Sequence, residues 1–124
     1  SYYLKLIKSM TPLDKDTIDK ILELTGGDDS ILVELFESFL ADAKELSERI
    51  KKSAASSDWE QLMFDVHTLK GLCGTIGAIP LYEVCKVLND DLKSGNMSTS
   101  IDLANETILK YEDLFEHITS NYKV

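Results

Sequence analysis

Three long stretches of this chain place apolar residues at alternating steps of three and four. Leu32, Leu35, Phe39, Ala43, Leu46 and Ile50 form the first. Trp59, Leu62, Val66, Leu69, Cys73 and Ile76 form the second, and Ile101, Ala104, Ile108, Tyr111, Phe115, Ile118 and Tyr122 the third. A shorter set, Leu81, Val84, Cys85, Leu88 and Leu92, follows the same rule. This spacing is the stripe of an amphipathic helix, because a half-buried strand would alternate with period two. No stretch of the sequence does so, and there is no internal repeat. A stripe of about five turns cannot hide its apolar face alone. Four such helices with short connections predict an all-α fold, an antiparallel four-helix bundle. An additional short N-terminal helix over Asp14 to Thr25, with Ile18, Ile21 and Leu22 inward, would cover one end or side.

The punctuation supports these spans. Gly26-Gly27 ends the short helix, and Asp28 or Asp29 caps the next. Ser53 to Ser56 reads as a polar break. Ser57 and Glu60 have capping-box spacing, which starts the helix that ends near Gly77. Pro80 fits the first turn of the following helix, Gly95 ends it, and Ser94 to Thr99 form a loop. The last helix is expected to begin near Ser98 or Ser100. Leu4, Leu6 and Ile7 either open a further short helix or lie along the bundle. Residues 1–12 are therefore taken as an N-terminal segment or linker, and 13–124 as the bundle domain.

A chain of 124 residues, 44% hydrophobic and 28% charged, is one ordinary globular domain. Its formal net charge of −9 argues against nucleic acid or an anionic membrane surface as partner. No apolar run is long enough to span a bilayer. The N-terminus is too short and too charged for a signal peptide. The expected location is the cytoplasm, alone or as the cytoplasmic part of a membrane-bound protein. Cys73 and Cys85 both fall on apolar helix faces and read as free thiols of a reducing compartment.

His67 stands out within the second stripe. At about 100° per residue it points away from the buried line and should be exposed. Its helical neighbours are Met63 and Phe64 before it, and Lys70, Gly71 and Gly74 after it. A glycine inside a helix costs about 0.5–1 kcal/mol relative to alanine. Two of them beside the helix's one histidine leave bare backbone where something large can approach. Each feature also has a plainer reading. His67 alone could be an ordinary surface residue, as His117 is expected to be. Gly71 and Gly74 could serve close helix packing. Lys70 could be a snorkelling surface lysine, and Phe64 could pack on the preceding helix or meet a partner.

His67-Thr68-Leu69-Lys70-Gly71 followed by Ile76-Gly77-Ala78 resembles the phosphoacceptor motif of histidine-containing phosphotransfer (HPt) domains. The resemblance covers roughly residues 13–122. Leu72 and Cys73 stand where small residues are usual, Thr75 where asparagine is common, and Asn89 where glutamate or glutamine is common. The resemblance implies a phosphorelay intermediate with His67 as phosphoacceptor. Lys70, Asn89 and Lys86 would support the phosphoryl group, and Met63, Phe64, Gly71 and Gly74 would dock the partner. Partners would be response-regulator receiver domains and a sensor histidine kinase, hybrid or not. The receiver would supply the magnesium, and this chain no cofactor or metal.

The side chains agree with that chemistry. A neutral imidazole nitrogen is a nucleophile at physiological pH. No Walker or kinase-type glycine loop is present, so the chain is not expected to be an autonomous kinase. A di-iron bundle needs inward Glu-x-x-His pairs, but Phe64 and Leu114 stand three residues before the two histidines. The remaining alternative is a helical interaction module that is never phosphorylated. A monomer is expected, because one bundle can bury all the seams.

Overall fold

The computed structural model describes residues 2–124, and the side chains of Tyr3, Leu4, Lys8 and Ser9 lie outside the described set. Its elements are α1 (Tyr2–Ser9), α2 (Lys15–Leu24), α3 (Asp29–Ala55), α4 (Trp59–Ile76), α5 (Ile79–Ser94) and α6 (Met97–Asn121). There is no strand among the described residues. The four long helices α3 to α6 each pack on the next, and α6 closes back on α3. This is the expected antiparallel bundle. Helices α1 and α2 are additions to it. The first lies on α5 and buries Ile7; the Leu4 side chain of the expected apolar cluster lies outside the described residues. No described helix is long and apolar enough to cross a membrane.

The core is one cluster drawn from α2 to α6 and the loops at Leu13 and Ala78. Leu62, Val66, Leu69, Cys73 and Ile76 of α4 are all fully or almost fully buried, as are Leu81, Cys85 and Leu88 of α5. Both cysteines are free, and burial pushes the Cys73 thiol up and the Cys85 thiol up to about 12. They are small core hydrophobes and not nucleophiles at neutral pH.

The register of two seams differs from the expected one. Leu35 is 42% exposed, and Phe36 is buried in its place. Phe36 meets Tyr122 edge-on at 4.7 Å. At this step the ring buries the larger apolar area. Along α6, Leu114 is buried where Phe115 was expected, and Leu103 where Ile101 was. A straight helix drifts about 20° per heptad against a strict three-four alternation, so long seams change register.

Several boundaries also move. α3 runs through the expected polar break to Ala55, because the Ser53 hydroxyl is buried but donates to the Arg49 carbonyl at 2.9 Å. Ser57 does not cap α4. It takes φ 56° in the turn, and Asp58 caps instead, accepting from the Gln61 backbone N–H at 3.3 Å. Ser94 is still helical, and Asn96 precedes the first turn of α6.

Two contacts set the frame of α4. At its end, Gly77 caps the helix at φ 73°. Its carbonyl accepts from the Asp14 amide at 2.8 Å, and a Cβ built there would lie 2.6 Å from Cβ of Thr17. Only glycine allows α2 to sit down at this point. Near its start, the Asp65 carboxylate is fully buried. Arg49 of α3, its side chain 43% exposed, donates to it at 2.8 Å, and the Gln61 amide donates to both oxygens at 3.0 Å. This bridge ties α3 to α4 two residues from His67.

Arg49→Met keeps the aliphatic stem but leaves a buried carboxylate with only the Gln61 amide. Unfolding in urea should show a loss of about 3 kcal/mol, the low end for a broken buried pair because Arg49 itself is partly solvated. A loss under about 1 kcal/mol would mean that the pair behaves as a surface bridge.

Candidate functional site

Burial of the α4 stripe fixes the rotation of that helix and therefore what it shows to solvent. His67 is exposed and makes no hydrogen bond or ion pair. Three residues earlier Phe64 is 64% exposed, so most of its ring is open to solvent. Met63 is half-buried and packs on the core, which leaves it at the rim of this face. Gly71 and Gly74 continue the face toward the C-terminal end of α4. Both are exposed, and a Cβ built at either meets nothing within 4 Å. The helix-packing explanation of these glycines is therefore excluded within the chain. Nor does either take a positive φ. A bare ridge of about two turns runs from His67 to Gly74.

Lys70 is half-buried, with its charge close enough to Cys85 of α5 to favour the thiolate there. Its ammonium makes no ion pair. Asn89 lies one turn beyond Cys85 on α5. It is 1% exposed, yet neither its amide nitrogen nor its oxygen has a hydrogen-bond partner. A buried amide with four unused hydrogen-bonding positions is costly, and such groups concentrate at functional sites. It makes no hydrogen bond to His67 in this conformation. Lys86 is exposed on α5 and likewise makes no ion pair. The structure thus gathers His67, Phe64, Gly71 and Gly74 on one face with Met63 and Lys70 at its edge. It does not bring Asn89 or Lys86 into a hydrogen bond with the imidazole.

His117 is half-buried on α6 and lines a groove between α2, α3 and α6, so it is more enclosed than an ordinary surface residue. Among the described residues, no group of three or more His, Cys, Asp or Glu side chains could hold a metal ion.

The model of the Hpt domain family matches residues 34–119, well over half of the chain. This chain is an Hpt domain. The crystal structure of histidine-containing phosphotransfer protein B (HptB) from Pseudomonas aeruginosa PAO1 superposes with a TM-score of 0.70 at 20% sequence identity, covering 93% of this chain and 100% of that one. At that identity the likeness establishes the fold alone. Comparison with curated proteins gives no match. Hpt domains serve phosphorelays as histidine phosphotransfer carriers without autonomous kinase activity, and interact there with receiver domains and kinases.

Within this Hpt domain, two features were not found from the sequence. The Arg49–Asp65–Gln61 cluster was missed because a single aspartate inside an apolar stripe carries no spacing signal; Gln61 four residues earlier is the one cue. The unsatisfied state of Asn89 was missed because it depends on which neighbours the packing supplies.

If the bare ridge has no internal purpose, filling it should help the free domain. Gly74→Ala should raise the unfolding free energy by up to about 1 kcal/mol, measured by thermal melting. A fall in stability would reveal a packing role for the glycine.

Proposed function

We propose that His67 is the phosphoacceptor of this Hpt domain. The observation that carries the reading is an exposed imidazole without partners, set on a ridge that two glycines keep bare. In the forward step one imidazole nitrogen attacks the phosphorus of a receiver's aspartyl phosphate. The N–P bond forms, the P–O bond to the aspartate breaks, and the carboxylate leaves. In the onward step the aspartate of another receiver attacks the same phosphorus and the N–P bond breaks. Lys70, whose ammonium has no other ion pair, offsets the charge of the phosphoryl group. Lys86 adds positive charge from α5, and the Asn89 amide, otherwise unsatisfied, turns toward the modified imidazole.

Phe64 and Met63 give the receiver an apolar foothold before His67, while Gly71 and Gly74 let its surface come close after it. The receiver's own carboxylates would hold the magnesium, so this domain contributes a nucleophile and a docking face. It works as a monomer in the cytoplasm, between a sensor histidine kinase and its response regulators.

Incubation with a radiolabelled phospho-receiver tests this reading. Label should pass to the wild-type chain in an acid-labile, alkali-stable form, as a phosphoramidate is, and should be absent from a folded His67→Gln variant. Label retained by that variant would place the acceptor elsewhere. A receiver that binds but transfers nothing to the wild type would favour the unphosphorylated docking module.

A further inference from the structure

Helix α2 is fastened to the bundle along one side, with Ile18 in the core and Ile21 and Leu22 packed against it. Its start is held where Asp14 and Thr17 meet Gly77, whereas Leu24 at its other end is 88% exposed. Between α2, the first turns of α3 and the last turn of α6 it leaves an open groove of about 1020 Å³. Leu22, Val33 and Tyr122 line it and are only half-buried. No residue of α4 or α5 contributes, so the groove is separate from the face that carries His67.

We propose that this groove is a second docking site, which takes a cationic amphipathic helix of a partner protein while His67 stays open to a receiver. The lining decides the chemistry. Apolar side chains on the floor suit one face of a helix. Asp29, Glu34 and Glu37 stand exposed along the α3 side and make no ion pair. Asp19 opposite is 3.9 Å from Lys15, and Lys123 is the remaining cation. The unpaired charge around the groove is therefore negative and complements basic residues that flank an apolar stripe. A second copy of this chain is a poor occupant, because its net charge of −9 repels the same sign here. From Lys15 to Leu22 the groove follows α2 for about 10 Å, the length of about two helical turns.

The test is a titration of the isotope-labelled chain with a synthetic helical peptide of leucine and lysine, all leucines on one face, in about 150 mM salt to screen bulk charge. A scrambled peptide of the same composition is the control. Saturable binding should shift amide signals of α2, the first turns of α3 and the end of α6, and leave those around His67 in place. Glu34→Lys with Glu37→Lys should weaken binding at least tenfold, Val33→Asp likewise, and Asp102→Lys with Glu112→Lys should not. The paired glutamate reversal lies wholly on exposed positions, so it decides the matter even if Val33→Asp fails to fold. Equal binding of the scrambled peptide, shifts spread over every acidic face or centred on α4, or no binding at millimolar peptide would each overturn the proposal.

Discussion

The buried stripe of α4 is the constraint on which the site depends. Leu62, Val66, Leu69, Cys73 and Ile76 enter the core together, and none can leave without opening a cavity. A helix held along such a line has no freedom to rotate. The residues between the buried ones must then face solvent, and His67 is one of them. The Asp65–Arg49 bridge and the Gly77–Thr17 contact fix the same helix near its start and at its end. Position is thus supplied by packing, and nothing on the exposed face is needed to maintain it.

That separation explains how the exposed face can be poor in stabilising contacts. Gly71 and Gly74 weaken the helix, and no neighbour within the chain uses the space they leave. Lys70 has a charge without an ion pair, and Asn89 a buried amide without a hydrogen bond. The glycines and the unsatisfied amide are unfavourable in the free domain. Gathered on α4 and the neighbouring turns of α5, they form the pattern expected of a surface completed by a partner or a modification.

The fold was legible because seams of three-four spacing leave few alternatives to a bundle, and glycines at Gly77 and Gly95 mark real helix ends. The exposed position of His67 followed from the same periodicity. Register was harder. Leu35 against Phe36 and Phe115 against Leu114 are choices between adjacent apolar residues, which shape complementarity settles and composition does not. Ser57 failed as a cap because the turn after α3 needed it at positive φ, a requirement of the chain path. Partner approach and helix packing could not be separated for Gly71 and Gly74 from sequence, since the difference lies in what surrounds their Cα atoms.

The central claim is that the bare backbone beside His67 serves a partner and not the fold. Gly71→Gln tests it most directly when melting temperature and phosphotransfer from a receiver are measured on the same variant. The claim predicts an equal or higher melting temperature, with transfer at least about tenfold slower, equivalent to about 1.4 kcal/mol of lost docking. A lower melting temperature with transfer reduced only as far as the fold, or transfer at the wild-type rate, would contradict it.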